Sequence, residues 1–178
     1  MQIRPARPGD AEVAAVLLYS AYTSIQVTYP LREVHESGWI ERLQQFFCQD
    51  GNRFSHQYVH VAEQSSEVVG LVLSFGGRDE ARLNAAVGSW LEREAEDDEW
   101  YVDALAVLIN WGRKGIGTRL LKTAERQARR HRYPKIALHV AQGNKPALDL
   151  YTHLHYVVTQ QTILYHHPYA RMVKTLAS

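Results

Sequence analysis

The fold is decided by the stretch 100–124, WYVDALAVLINWGRKGIGTRLLKTA. Its first part, residues 100–109, is a near-continuous apolar run interrupted mainly by Asp103, which is typical of a central strand covered on both faces. Glycines follow at once. An apolar stripe at helical spacing comes next, formed by Ile116, Leu120, Leu121 and Ala124. The stretch therefore predicts a strand, a tight glycine turn and a helix.

The turn at residues 112–118, GRKGIGT, has the composition of an anion-binding loop. Glycines between a strand end and a helix start let backbone N–H groups approach an anion closely, and the helix N-terminus adds about half a positive charge. The turn is not a P-loop, and Leu120 stands where a dinucleotide-binding fingerprint needs a third glycine. It therefore predicts either a phosphate cradle or a tight turn without a ligand.

Helix and strand signals surround this stretch on both sides. Before it, the pattern predicts a short strand, a helix after Asp10, a helix from Trp39, a hairpin of residues 58–62 and 68–75, and a helix over residues 78–95. After it come a strand at 136–140, a helix that Asn144 starts, and strand-like stretches at 156–160, 163–165 and 169–176. This order predicts a mixed α/β sheet rather than regular βαβ alternation.

Length, composition and charge exclude several classes of protein. A chain of 178 residues with 46% hydrophobic and 22% charged residues fits one globular domain over residues 1–178. Twenty Lys and Arg against nineteen Asp and Glu leave a net charge of +1, which argues against a nucleic-acid partner. No stretch reaches the roughly 18 consecutive apolar residues of a membrane span, so we expect a cytoplasmic protein with no membrane partner.

Cysteine and histidine usage argues against a metal centre. Cys48 is the lone cysteine, which excludes an intrachain disulfide and a cysteine-based zinc site. Because Cys48 follows the apolar run at residues 40–47, we expect its thiol to be buried. The nine histidines lack a His-Glu-x-x-His spacing, and the adjacent His166 and His167 point to opposite faces of a strand. We therefore expect no metal site.

Four motifs follow one another in a fixed order. They are residues 101–107 (YVDALAV), 112–118 (GRKGIGT), 144–151 (NKPALDLY) and the pair His155-Tyr156. In this order and spacing the chain resembles the GNAT superfamily of N-acetyltransferases, closely over residues 101–156 and loosely outside them. The resemblance implies a GNAT-like acyl-CoA N-acyltransferase fold, in which a mixed, mostly antiparallel central sheet is flanked by helices.

The chain departs from the family pattern at two places. Gly112 and Arg113 stand where the family usually has Arg followed by Gly, which puts the path of the loop in doubt. The pair His155-Tyr156 replaces the family's Gly-Phe, which puts the local backbone conformation in question.

The resemblance also implies acetyl-CoA as cosubstrate and a set of residues that bind it. Main-chain hydrogen bonds to the pantetheine and thioester would come from Leu105, Ala106 and Val107. The pyrophosphate would be held by Arg113, Lys114, Gly115, Ile116, Gly117 and Thr118. Asn144 would touch the cosubstrate from the opposite side while it also caps a helix. The outer phosphates would be reached by Lys114, Arg119 and Lys145.

The implied reaction is direct attack of a neutral amine on the acetyl thioester. Tyr151 matches the family's tyrosine acid, which protonates the leaving thiolate. Asp103 is the candidate base, because polyamine acetyltransferases of this superfamily carry a carboxylate at that place on the strand. A water chain without one essential base, and a purely structural ion pair of Asp103, are open alternatives. Glu99 and His139 are weaker candidates for the base.

The resemblance leaves the acceptor open between a small-molecule amine and a peptide amine. The acidic run at residues 92–99 is either a solvated helix end or a rim that attracts cations. The first three helices would wall the acceptor cleft, and strands near the C-terminus, such as residues 169–173, would join a homodimer as in many relatives. The alternative function is a catalytically inactive acyl-CoA-binding sensor or regulatory module. Whether the acyl group is acetyl or longer is also open.

Overall fold

The computed structural model describes residues 1–23 and 37–176. Its helices are α1 (Ala11–Thr23), α2 (Ser37–Cys48), α3 (Glu80–Ala85), α4 (Ile116–Arg130) and α5 (Lys145–His153). Its strands are β1 (Gln2–Pro5), β2 (Val59–Gln64), β3 (Glu67–Gly76), β4 (Glu99–Val107), β5 (Lys135–Ala141), β6 (Val157–Leu164) and β7 (His167–Thr175). The predicted hairpin, the strand before the glycine turn and the helix after it are confirmed.

The strands form a seven-stranded sheet in the order β1-β2-β3-β4-β5-β7-β6. Antiparallel pairing joins β1 to β2, β2 to β3, β5 to β7 and β6 to β7. The pair β4–β5 is parallel, with a register that runs from Glu99 opposite Lys135 to Val102 opposite Leu138. The predicted α/β fold, a mixed and mostly antiparallel sheet flanked by helices, is confirmed.

The chain divides into two compact units. The first consists of Met1–Leu73 and Ala104–Thr123, and the second of Ser74–Asp103 and Ala124–Ser178. A single functional domain over residues 1–178 stays a prediction.

The first unit is built around two helices and the β1–β2–β3 strands. In α2 the buried residues Ile40, Leu43 and Phe47 recur every three or four positions, so they share one apolar face. The backbone of β3 approaches that of β4 closely, because a Cβ atom on Gly70 would lie 2.9 Å from the carbonyl oxygen of Ala106. Glycine at position 70 therefore permits the close packing that holds the end of β4.

The second unit has its core along β5 and β7. Its fully buried side chains include Tyr101, Ile136, Met172 and Tyr156. The backbone of Gly77, directly after β3, lies very close to the backbone of Glu96, since a Cβ atom on Gly77 would collide with the carbonyl oxygen of Glu96. The segment after α3 is therefore packed against the end of β3 without room for a side chain.

The predicted helix over residues 78–95 is wrong, because the α-helix in that range, α3, ends at Ala85 and is preceded only by a short 3-10 turn at Gly77–Asp79. The carboxylate of Glu80, a buried side chain, accepts hydrogen bonds from the backbone N–H groups of Glu94 at 2.9 Å and Ala95 at 3.0 Å. These bonds return the chain to the start of α3 and satisfy backbone donors that a continued helix would have used internally. Tertiary hydrogen bonding therefore overrides the local apolar spacing.

The expectation that Cys48 is buried is also wrong, because its side chain is exposed. Cys48 is the last residue of α2 and lies about 100° around the helix from the buried Phe47. The apolar residues before Cys48 therefore do not indicate which way the Cys48 side chain points.

Candidate functional site

The glycine turn leads directly into the N-terminus of α4. The backbone N–H of Arg119 donates to the carbonyl oxygen of Gly115 at 3.1 Å, which closes the first helical turn. The N–H groups of Ile116, Gly117 and Thr118 precede that bond, so the helix itself gives them no acceptor. The first turn therefore presents main-chain donors at the positive end of the helix dipole.

The departure from the family pattern at positions 112 and 113 has a defined backbone consequence. Gly112 has an ordinary φ of −60°, whereas Arg113 has a φ of +59° and Gly115 a φ of +73°. The left-handed conformation, which costs a non-glycine residue about 1–2 kcal/mol, thus falls on an arginine. The loop keeps its left-handed turn and carries a strained residue where glycine would be relaxed.

The cations around the loop have local partners. Nζ of Lys114 lies 4.5 Å from the ring centroid of Trp111 and donates to the carbonyl oxygen of Asn110 at 3.3 Å. Arg119 donates to the carbonyl oxygen of Met1 at 3.4 Å. Lys145, which belongs to the second unit, pairs with Asp149 at 3.3 Å. Arg113, Lys114 and Gly115 are exposed, and a Cβ atom on Gly115 would meet open space. The loop surface is therefore open and positively charged.

The end of β4 continues into this loop within the first unit. Ala106 is buried, whereas Leu105 and Val107 are half-buried. The N–H of Leu108 donates to the carbonyl oxygen of Val69 at 2.9 Å, which ties the strand end to β3. The structure thus places the predicted residues Leu105–Val107 and 113–118 on consecutive parts of one unit.

The remaining predicted site residues, Asp103, Asn144 and Tyr151, lie in the second unit. The side chain of Asn144 accepts from the N–H of Ala147 at 3.2 Å, which confirms its predicted role as the N-cap of α5. Asp103 is a half-buried residue of β4.

Tyr151 is a buried residue on α5. Burial raises the pKa of its phenol to about 12 because the charged phenolate would lose its hydration. The hydroxyl therefore keeps its proton at neutral pH, which is the state that a proton donor requires.

A hydrogen-bonded group that the sequence patterns did not predict lies in the second unit. We call Glu94, Tyr101, His139 and Tyr165 the Glu94 cluster. The hydroxyl of Tyr101 donates to Oε2 of Glu94 at 2.6 Å and lies 3.0 Å from Nδ1 of His139. The hydroxyl of Tyr165 donates to Oε1 of Glu94 at 2.7 Å. Both oxygens of this carboxylate are therefore held by tyrosines.

The geometry of the cluster sets the proton positions on His139. Tyr101 has one hydroxyl proton and donates it to Glu94, so its oxygen accepts the Nδ1–H of His139. Nε2 of the neutral ring then carries a lone pair. The pKa of His139 is lowered to about 4, mainly by burial and also by the charge of Arg171, while Asp103 acts in the opposite direction. His139 is thus neutral at physiological pH, with an acceptor nitrogen.

Part of the acidic run is paired with cations inside the second unit. Lys135 lies 2.5 Å from Glu96 and 3.0 Å from Asp98, and Arg171 pairs with the buried Glu99. Burial raises the pKa of Glu99, whereas the bond to Lys135 lowers the pKa of Glu96. The predicted solvated helix end is wrong, because these residues follow α3 without a helix. A rim that attracts cations stays a prediction, since the side chains of Glu96, Asp97 and Asp98 are exposed.

Within the described ranges, no group of three or more His, Cys, Asp or Glu side chains is arranged to hold a metal ion. No helix in the same part of the chain is long and apolar enough to span a membrane.

No curated protein matches the sequence. A crystal structure of an N-acetyltransferase from Staphylococcus aureus is 25% identical, with a TM-score of 0.79 over 98% of this chain and 100% of that one. A crystal structure of an acetyltransferase is 24% identical, with a TM-score of 0.80 over 99% and 100%. The paia N-acetyltransferase from Thermoplasma acidophilum, in complex with coenzyme A, is 16% identical, with a TM-score of 0.62 over 98% of each chain.

The family model for the acetyltransferase (GNAT) family matches residues 18–156, which include β4, the glycine turn, α4 and α5. This match covers well over half of the chain and confirms the resemblance that the four motifs indicated. The protein therefore belongs to the GNAT family of acetyltransferases.

Proposed function

We propose that the protein transfers an acetyl group from acetyl-CoA to a primary amine of a small molecule or peptide by direct attack. The observation that carries this proposal is the loop 112–118, which enters α4 through two left-handed residues and presents main-chain N–H groups at an exposed surface. Membership of the acetyltransferase family supports acyl transfer as the reaction class.

The residues of the loop fit a diphosphate. Successive N–H groups at a helix N-terminus bind phosphate oxygens without a side chain, and the open space beside Gly115 leaves room for the approach. Main-chain groups of Leu105, Ala106 and Val107 would hold the pantetheine, and Asn144 would contact it as well. Bound acetyl-CoA supplies the acetyl thioester. The complex of the Thermoplasma acidophilum relative with coenzyme A supports this choice of cosubstrate.

We assign the general acid to Tyr151. Its phenol, with a pKa raised to about 12, remains protonated at neutral pH and donates its proton to the sulfur of the leaving thiolate. The carbon–sulfur bond breaks as the new carbon–nitrogen bond forms, and the phenol recovers its proton from solvent.

We assign the proton acceptor for the attacking amine to Asp103, directly or through water. His139 is the competing acceptor, because the Glu94 cluster leaves its Nε2 lone pair available and Asp103 interacts with it electrostatically. The low pKa of His139, about 4, makes its imidazole a weak base at neutral pH. Asp103 is supported instead by the family resemblance, in which polyamine acetyltransferases carry a carboxylate at this place on the strand.

Calorimetric titration with acetyl-CoA and with free CoA, followed in the same sample by thiol release against a panel of amines, tests the proposal. We expect micromolar binding of both ligands and release that depends on an amine. Binding without release from small amines or N-terminal peptides would favour a catalytically inactive sensor module. Absence of binding would reject the loop as a diphosphate site.

A further inference from the structure

The C-terminal end of α5 joins Tyr151 to Tyr156. The N–H of Tyr156 donates to the carbonyl oxygen of Tyr151 at 2.9 Å. The N–H of His155 donates to the carbonyl oxygen of Thr152 at 3.0 Å. His155, with a φ of +68°, takes the left-handed position between them. These two bonds and this conformation define a Schellman motif, in which the residues at the two ends of the turn usually make an apolar contact.

That apolar contact is made by the two tyrosine rings. The ring centroids of Tyr151 and Tyr156 are 6.0 Å apart with an angle of 56° between the ring planes. Tyr156 is only 1% exposed. The orientation of the Tyr151 ring is therefore limited on one side by the position of the Tyr156 ring, because buried rings in close contact cannot turn independently.

Tyr156 is itself anchored by groups from two other elements. Its hydroxyl donates to Oε1 of Glu125 on α4 at 3.3 Å. The same carboxylate oxygen accepts from Nζ of Lys174 on β7 at 2.8 Å, and that nitrogen lies 5.5 Å from the centroid of the Tyr156 ring. Glu125 is 6% exposed, so the three side chains form a largely desolvated group.

This anchor depends on a feature of the chain that departs from the family pattern. The family pair Gly-Phe supplies a ring at the second position but no hydroxyl, whereas His155-Tyr156 supplies both. A buried hydroxyl is costly unless it is hydrogen-bonded, and here Glu125 meets that requirement. The hydroxyl thus converts a packed ring into one whose orientation is fixed by a hydrogen bond.

We propose that Tyr156, held by Glu125 and Lys174, is a positioning residue that fixes the phenol of Tyr151 in the orientation needed to protonate the leaving sulfur. The inference rests on the proposed function of Tyr151 as general acid. In this proposal Tyr156 contacts neither the leaving sulfur nor the thioester carbon, and it acts only through the ring of Tyr151. Small displacements of a catalytic group lower the rate strongly, since a shift of about 1 Å can reduce it on the order of a hundredfold.

A double-mutant cycle of Tyr156→Phe and Tyr151→Phe tests the proposal. Tyr156→Phe keeps the ring and removes the anchor, so we expect kcat to fall by about three- to thirtyfold while both KM values stay within about twofold. In the Tyr151→Phe background, the same change is expected to cause no further loss, because the group on which Tyr156 acts is already absent. Glu125→Gln should lower kcat in the same direction as Tyr156→Phe.

The control is Tyr133→Phe, which removes a hydroxyl from another buried tyrosine in the second unit and should leave kcat unchanged. Thermal unfolding of each variant separates loss of fold from loss of rate. An unchanged kcat in Tyr156→Phe would overturn the positioning role alone. So would a decrease in kcat by the same factor with and without the Tyr151 hydroxyl. A Tyr151→Phe enzyme with wild-type kcat would instead overturn the general acid, and the positioning role with it.

Discussion

Nδ1 of His139 lies 3.0 Å from the hydroxyl oxygen of Tyr101, which donates its own proton to Glu94. Hydrogen-bond donation thus runs in one direction, from the imidazole through the phenol to the carboxylate. The ring is neutral because burial lowers its pKa to about 4. A residue that the sequence indicated only as a weak candidate therefore has a defined tautomer and a defined charge.

We expect His139 to make stability fall as the pH is lowered from about 6.5 towards 4. Its folded pKa is about 4 and its unfolded value 6.5, so within this window the unfolded chain binds a proton that the folded chain does not. Above the window both states are neutral and His139 contributes no pH dependence. The full effect is on the order of 3 kcal/mol.

The measurement is urea unfolding of the wild type and His139→Gln between pH 8 and pH 4.5. As the pH falls, the unfolding free energy of the wild type should decrease more than that of His139→Gln. His131→Gln, a change at an exposed histidine, serves as the control. An imidazole titration of His139 near pH 6.5 by NMR would contradict the expected neutral state.

Asp103→Asn should lower kcat/KM for the amine by about a hundredfold, because the amide cannot accept the ammonium proton. The KM for acetyl-CoA should be little changed. His139→Gln is the comparison: a small loss there with a large loss in Asp103→Asn supports the carboxylate as the proton acceptor. The reverse order would transfer that role to His139, and two small losses would favour a water chain.

Arg113→Gly should raise the free energy of unfolding by about 0.5–1 kcal/mol. Glycine relieves the left-handed strain at φ +59°, and the greater freedom of the unfolded chain offsets part of that gain. Arg113→Ala removes the same charge but retains the strain, so this variant should be no more stable than the wild type. If the alanine variant gained as much as the glycine variant, charge rather than backbone conformation would be the cause.

Gly77→Ala should destabilise the protein by about 2–3 kcal/mol, because the added methyl group would collide with the carbonyl oxygen of Glu96. Gly143→Ala is the matched change, since a Cβ atom there meets nothing within 4 Å. Thermal or urea unfolding of the two variants gives the comparison. Equal stability of both would show that the segment after α3 moves away without cost.

The homodimer stays a prediction, and β6 offers a place to test it. This strand lies at one end of the sheet order, and Val157 and Ile163 on it are 61% and 70% exposed. We expect Ile163→Lys to weaken self-association in light scattering at constant protein concentration, because an edge strand with charged residues resists pairing. A wild-type mass equal to one chain at every concentration would reject the dimer.

The sequence predicts elements whose signals are local, and it misses those made by distant contacts. The helix at residues 116–130 could be predicted because its apolar spacing lies within the element and its glycine turn comes directly before it. The end of α3 could not, since it depends on Glu80 accepting bonds from Glu94 and Ala95. Local spacing continued to favour a helix where tertiary hydrogen bonds stop it.

The candidate site shows the same division. The motif order pointed to Tyr151 and to the loop, but the Glu94 cluster gathers residues separated by 7, 38 and 71 positions in the chain. No periodicity connects such positions. The available signal was chemical: the apolar runs that form β4 and β5 each carry a polar aromatic side chain, Tyr101 and His139. In the parallel pair Tyr101 lies opposite Ala137, two positions before His139.

The turn after α5 has a consequence for protein engineering. Residues 144–156 carry both tyrosine rings and the Schellman motif, so a graft of this segment into a relative would transfer the proposed acid together with the ring packed against it. It would not transfer Glu125 or Lys174, which belong to α4 and β7. The recipient would then bury a phenol hydroxyl without an acceptor, and a transplant that includes Tyr156→Phe should be tolerated better than the native segment.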